Sequence, residues 1–271
     1  MEYPMYDFFG ESGAVVGFKN FGIVFDILKA RPYLLTNSLI LAFFMLCVAM
    51  PLAILFSYYV YKKRFLHGFY KVILFLPQII SGVVFAAIIY GFFSALSLTS
   101  GNTQINPFNQ TLMSPAYVRT MLIAFTVWMS FGVNVLLFTG AMNNINPSLV
   151  EAAELDGCNA FREFIHVTFP SIFPTIISFV IITVSGIFVN QMFLMEFPKV
   201  DEAQHTIGYF LYKNAQNPNN GLFYTDVVDV ENDTAFAYPI LSAFSLLITA
   251  VLLPVTLIIK KLLNKYGPST K

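Results

Sequence analysis

Five long apolar runs constrain this chain more than any other feature. They cover Leu34–Tyr61, Val72–Phe93, Val118–Thr139, Ile172–Met195 and Ala237–Ile259. Each reaches the length of about twenty residues that a helix needs to cross a bilayer. In lipid every backbone N–H and C=O must be satisfied internally, which a helix does within its own segment. The expected fold is therefore an all-α polytopic membrane protein with about five transmembrane helices. Pro51 and Pro254 fall inside spans and Pro77 lies early in the second; neighbouring helices can satisfy the backbone groups they free.

Composition agrees. Apolar residues make up 57% and charged residues 11%, against about a quarter charged in soluble domains. The mean hydropathy is +0.69. Zero formal net charge gives no sign of a nucleic-acid partner. Two cysteines, Cys47 in an apolar run and Cys158 in a charged loop, do not make a disulfide framework. No Cys/His cluster has metal-ligand spacing, so no metal site is expected.

The loops between the runs predict an orientation. Lys62, Lys63, Arg64 and Lys71 crowd the first loop, and Lys260, Lys261, Lys265 and Lys271 follow the last run. Residues 94–116 carry no charge, whereas residues 196–236 carry seven acids against Lys199 and Lys213. The positive-inside rule puts the first loop and the C-terminus in the cytoplasm. Five spans then leave the N-terminus outside and the loop around Glu151 inside. No basic stretch precedes an apolar core in residues 1–33, so that segment does not read as a signal peptide.

The charged stretch from Asn146 to Pro174 holds the most specific pattern. Asn146 is a good N-cap and Pro147 suits the first helical position. A short helix then carries Glu151, Ala152, Ala153, Glu154 and Asp156, and Gly157 supplies its stop. Asn159 can cap a second short helix holding Phe161, Phe164, Ile165 and Val167, with Pro170 and Pro174 expected to break it before the next span. Glu151-Ala152-Ala153, two residues, Asp156-Gly157, six residues, Phe164, five residues and Pro170 fix seven positions. At about one in twenty each, this arises by chance roughly once in a billion placements.

This pattern resembles the coupling loop, or EAA loop, of permeases of binding-protein-dependent (MetI-like) ABC importers. The resemblance implies that residues 146–170 sit in a cleft of a cytoplasmic ATPase dimer and pass its closure to the spans. Glu151, Ala152, Ala153, Asp156, Gly157, Phe164 and Pro170 would then be the coupling residues. It also implies a second permease subunit, an extracytoplasmic solute-binding protein and residence in a bacterial cell membrane. ATP and Mg would be bound by the ATPase, leaving this chain without cofactor and without catalytic activity. No Gly-x-x-x-x-Gly-Lys loop occurs to cradle phosphates here.

Softer likenesses point to carbohydrate as cargo. Val16-Gly17-Phe18-Lys19-Asn20-Phe21 is similar to a Gly-x-x-Asn-Phe segment of sugar-importer permeases, where it follows a first transmembrane helix. That helix is missing from the pattern here: either the start lies late, or the core spans suffice. The domain reading is accordingly an N-terminal extracytoplasmic segment (1–33), a transmembrane domain (34–260) and a basic cytoplasmic tail (261–271). Trp128 at its distance from Glu151 resembles the family. Thr206, Tyr209 and Tyr212 look like the Thr-x-x-Tyr-x-x-Tyr stretch of the MalF-like (UgpA-like) half of maltose-type importers, although Glu196-Phe197-Pro198 stands where a Gly-Gly-Pro turn is expected. Asn190-Gln191 resembles an Asn-bearing segment that faces sugar in that half.

Polar groups inside spans invite a functional hypothesis, with interhelical hydrogen bonding as the plain alternative. Ser130 and Asn134, four apart, share a face of the third span. Ser185, Gly186, Asn190 and Gln191 cluster in the fourth. All six are candidates for a substrate cavity. The acids Asp226, Asp229, Glu231 and Asp233 of the outer loop could dock a binding protein, and they lack EF-hand spacing for calcium. Asn109-Gln110-Thr111 and Asn232-Asp233-Thr234 are formal glycosylation sequons without meaning in a bacterial importer. An ion-coupled secondary transporter would place Asp, Glu or Lys within the spans, and an intramembrane enzyme would need a catalytic pair. Neither is found. A different cargo, such as an amino acid, polyamine or anion, stays open.

Overall fold

The computed structural model describes residues 19–100, 115–195, 197, 200–216 and 237–268. Its elements are helices α1 (Lys19–Ala30), α2 (Pro32–Tyr61), α3 (His67–Ile79), α4 (Gly82–Ser100), α5 (Pro115–Asn143), α6 (Pro147–Leu155), α7 (Ala160–Ser185), α8 (Ile207–Gln216) and α9 (Ala237–Tyr266). No strand occurs among the described residues. Helices α2, α5, α7 and α9 are each long and apolar enough to cross a membrane, and α3 with α4 forms a fifth crossing if the pair is one bent span.

That pair corrects the expected second span. Val72–Phe93 is not one rod: the chain turns by 97° between His67–Ile79 and Gly82–Ile89. Ile80 leaves the helix with extended backbone, φ −85° and ψ 136°. Ser81 and Gly82, both poor helix formers, follow directly.

Two prolines that ought to break helices are absorbed instead. The chain widens into a π turn at Met45–Ala49, where the Met50 N–H donates to the Met45 carbonyl, and again at Phe164–Thr168, where the Phe169 N–H donates to Phe164. Each π turn ends one residue short of a proline, with Met50 before Pro51 and Phe169 before Pro170. A proline ring clashes with the carbonyl four residues back. The extra residue of a π turn displaces that carbonyl, which accounts for the helix continuing. The fourth span is therefore corrected as well. It runs from Ala160 to Ser185 rather than from Ile172 to Met195, with Pro170 and Pro174 inside it.

Three apolar clusters hold the helices together. At one end Val24 and Ile27 of α1, Leu34 of α2, Phe210 of α8 and Phe244 of α9 are all buried. A middle cluster joins Leu41, Ala86, Leu122, Phe125 and Met192. At the other end Ala53, Val135, Phe138, Met142, Ile172 and Ile176 lock the second halves of α2 and α5 onto α7. Helices α3 and α5 approach until their backbones touch: a β-carbon on Gly132 would lie 2.2 Å from the Leu74 carbonyl oxygen. Gln78 reaches across the same seam to donate to the Met129 carbonyl.

The region read as a long outer loop is partly structured. Residues 200–216 form a short 3₁₀ turn (Glu202–Gln204) and α8, with Gln204, His205, Thr206, Ile207 and Phe210 buried. The Asn37 amide of α2 donates to the carbonyls of Ala203 and His205 at 2.9 and 3.0 Å, and the Ile207 N–H donates to Ser38 Oγ at 3.1 Å. Gly17, Glu196, Pro198, the acids at 226–233 and both sequons lie outside the described residues.

Candidate functional site

The stretch after α5 folds as two helices set across a tight turn. Asn146 Oδ1 accepts from the Ser148 N–H at 3.1 Å and Pro147 takes the first helical position. Asn159 Oδ1 accepts from the Arg162 N–H at 2.9 Å and caps the start of α7. Between them Gly157 adopts φ +74°, a left-handed conformation that favours glycine. The Cys158 N–H donates to the Ala153 carbonyl at 3.0 Å and the Gly157 N–H to Glu154 at 3.1 Å, closing the end of α6.

One face of this knob is turned inward and the other is bare. Ala153 is buried. Phe164 lies 5.0 Å from the Tyr58 ring and 6.3 Å from Phe169, fastening the start of α7 to the bundle. Pro170 sits just beyond the π turn, half-buried. Glu151, Ala152, Asp156 and Gly157 are exposed. Beside them Leu155 is 89% exposed and Phe161 70%. Leu155 lies outside the apolar crossing segments and Phe161 in the first turn of α7, so a bare surface here combines large apolar groups with two acids.

Sequence reasoning missed the ionic tie behind the knob. Lys62, which follows α2, has its ammonium 2.8 Å from Glu163 Oε2 and 3.4 Å from Glu154 Oε1. Burial opposes the charge on Lys62, but its hydrogen bond to Glu163 and that carboxylate's charge outweigh it and raise the pKa above the usual lysine value. The Tyr58 hydroxyl donates to the Ala160 carbonyl at 2.8 Å. A positive loop in a membrane protein reads first as an orientation signal, which hid the pairing.

A cavity of about 370 Å³ opens between α2, α5 and the end of α7, with Ser38, Met45, Asn134, Thr183, Gly186 and Asn190 among its lining residues. Among the described residues, no charged side chain lines it. Asn134 is 7% exposed and its Nδ2 has no hydrogen-bond partner among the described residues. The structure thus brings Asn134, Gly186 and Asn190 to one wall system. Ser130 is not part of it; its hydroxyl donates back to Thr126 and Val127 at 2.9 and 3.0 Å. Ser185 is exposed at the last turn of α7, and Gln191 lies beyond the lining.

Asn190 and Gln191 are not on a span, which corrects the expectation that they share one with Ser185. The helix stops at Ser185 and residues 186–195 turn back. Asn190 Oδ1 accepts from the Met192 N–H at 2.9 Å, and the Thr206 hydroxyl donates to the Asn190 carbonyl at 2.9 Å. Met192 and Phe193 both take φ +52°, a region that costs an L-residue about 1–2 kcal/mol. Ser38, Met45 and Thr183 escaped notice because single small polar or flexible residues in an apolar run carry no pattern.

Trp128 packs against Phe85 at 5.1 Å and is half-exposed, away from the cavity lining. Tyr209 stacks edge-on against His205 at 4.7 Å.

Residues 49–266 match the family described as binding-protein-dependent transport system inner membrane component. A probable ABC transporter permease protein of Mycoplasma genitalium, MG188, is 31% identical over 226 residues, covering 80% of this chain and 63% of its own length. The arabinooligosaccharides transport system permease protein AraP of Bacillus subtilis is 26% identical over 157 residues, covering 56% of this chain and 50% of its own length. The chain therefore spans less than two thirds of the length of these curated relatives. Among solved structures, a bacterial ABC transporter involved in the import of the acidic polysaccharide alginate shares the fold, with a TM-score of 0.71 at 20% identity over 93% of this chain and 85% of that one. A second, the alginate transporter in complex with alginate pentasaccharide-bound periplasmic protein, aligns with a TM-score of 0.66 at 19% identity over 93% and 89%.

Proposed function

Because the chain belongs to the family of binding-protein-dependent transport system inner membrane components, we propose that it is a permease subunit of an ATP-binding-cassette importer for a sugar or oligosaccharide. The knob of α6 and the start of α7 carries this reading. It offers Leu155, Phe161, Glu151 and Asp156 as a bare surface at the end of the fourth crossing segment, suited to a groove on a separate ATPase. ATP and Mg belong to that partner. The charge of the loops supports placing the knob and the C-terminus in the cytoplasm and the N-terminal side outside, in a bacterial cell membrane.

Glu151 pairs with a basic group of the ATPase, Gly157 sets the angle between the two arms, and Phe164 transmits their movement to α2. Closure of the ATPase on ATP displaces the knob, and the spans rock between outward- and inward-open arrangements. The cavity beside Asn134 receives the solute that a binding protein releases. Among the described residues its lining holds amide and hydroxyl groups and no charged side chain, which fits a neutral, hydroxyl-rich molecule. A second permease chain completes the pathway. The names of the curated relatives, AraP among them, favour carbohydrate over an amino acid, polyamine or anion.

The deciding experiment reconstitutes the chain with its ATPase and partner permease and measures ATP hydrolysis on adding binding protein loaded with sugars, then with amino acids. Stimulation by the sugar-loaded protein supports the reading. Stimulation by another solute alone removes the cargo assignment, and failure of any ATPase to associate removes the coupling role.

A further inference from the structure

The knob is covalently joined to α5 before it and is continuous with the rest of α7 after it. Its strongest polar tie runs to neither. It runs to the end of α2, where the Lys62 ammonium sits between Glu163 at 2.8 Å and Glu154 at 3.4 Å. One cation therefore holds both arms of the knob, one carboxylate on each side of the Gly157 turn. The two bonds are not equal. Glu154 is 62% exposed, so its share is screened by water, whereas the Glu163 side chain is 4% exposed. A carboxylate buried that far requires a partner. The other oxygen of Glu163 has none among the described residues, so Lys62 supplies the compensation.

The alternative, that Lys62 is one more positive charge orienting the loop, does not explain its direction. Lys63 and Arg64, one and two residues on, are exposed and serve that purpose. Lys62 alone of the three is turned inward, 19% exposed, onto the knob. Tyr58, one helical turn earlier, reinforces the tie through the Ala160 carbonyl and the Phe164 ring. The same α2 carries Ser38, Leu41, Ala42 and Met45 to the cavity wall.

We propose that Lys62 is a positioning residue that makes α2 move with the knob, so that displacement of α6 and the start of α7 reaches the cavity through the first span as well as through α7. This rests on the coupling role proposed above. The test has two arms. In the first, the full chain in lipid nanodiscs is followed by amide hydrogen exchange over residues 147–168. Lys62→Met should speed exchange there by about tenfold, and Lys62→Arg should hold it near wild type. Unchanged exchange overturns the proposal. In the second, the assembled importer is assayed for solute taken up per ATP hydrolysed. Lys62→Met should lower that ratio by about fivefold or more while the ATPase still co-purifies, with Lys62→Arg restoring it. A wild-type ratio overturns the proposal. If Lys62→Met does not fold, Glu163→Gln loosens the same tie from the other side, and it must show both effects in smaller measure or the proposal falls. If the wild-type chain recruits no ATPase, the coupling role falls with the proposed function, and the exchange arm alone decides whether the tie holds the knob.

Discussion

Gly208 backs directly onto Val189: a β-carbon at Gly208 would lie 2.4 Å from the Val189 carbonyl oxygen and 3.0 Å from that of Asn190. The obstacle is backbone on both counts, so no side chain can swing aside. Gly208→Ala should therefore lower stability by about 1–3 kcal/mol, the usual range for overpacking a close contact. The affected turn carries Asn190, so solute affinity should fall together with the midpoint of thermal unfolding. An unchanged midpoint would show that the turn yields freely.

Gly157 presents the opposite case. A β-carbon there meets nothing within 4 Å, so only its φ of +74° resists substitution. Gly157→Val should cost about 1–2 kcal/mol locally, because a β-branched residue disfavours the left-handed region. Insertion should be normal while ATP-driven uptake is lost, and Gly157→Asn should retain more of it. Wild-type uptake in Gly157→Val would count against the turn's role in coupling.

His205 predicts a pH dependence of stability. Burial lowers its pKa from 6.5 to about 4, helped by the charges of Lys213 and Arg31 and opposed by Asp201 and the Val200 carbonyl. The folded chain thus holds the ring neutral while the unfolded chain protonates it. Its contribution is complete above pH 6.5 and is lost as pH falls toward 4, by about 3 kcal/mol in all. Unfolding midpoints measured across this window should slope downward with acid, and His205→Gln should flatten the slope. The ring packs on Tyr209, and its backbone carbonyl anchors Asn37 of α2.

Asn134 tests the cavity. Its Nδ2, without a partner among the described residues, is a donor available on the wall. Asn134→Leu removes that donor while keeping the branched outline of the side chain and relieves an unsatisfied buried group, so stability should hold or rise. Solute affinity should drop by about tenfold, the value of one hydrogen bond to a neutral partner. Equal affinity in the variant would place the solute elsewhere.

Much of this was legible in the chain. Asn146, Pro147, Gly157 and Asn159 each carry a local preference strong enough to set the knob without tertiary help, and the charge of the loops is a property of composition. What escaped depends on contacts between distant residues or on competition between local rules. Pro170 reads as a stop, and only the π turn before it, which no residue type announces, lets α7 continue. Ser81-Gly82 favours a break, but two short residues inside an otherwise apolar run do not stand out. Asn190 looked like a residue within a span because the run stays apolar to Met195; the turn there is held by Asn190's own side chain and by Thr206. Lys62 alone fits a simpler account, as an orienting charge, and only the fold brings it to Glu163.

The continuity of α7 has a mechanical side. Twenty-six residues make one rod, roughly 39 Å at about 1.5 Å per residue. Phe161 stands near one tip and Thr183 near the other, and the wide turn at Phe164–Thr168 leaves the rod unbroken. A rod pivoting near its middle moves its tips in opposite directions, by about 1.7 Å each for a tilt of about 5° at that length. A push on the bare tip would then arrive at the cavity as a displacement of opposite sense, carried along one continuous helix.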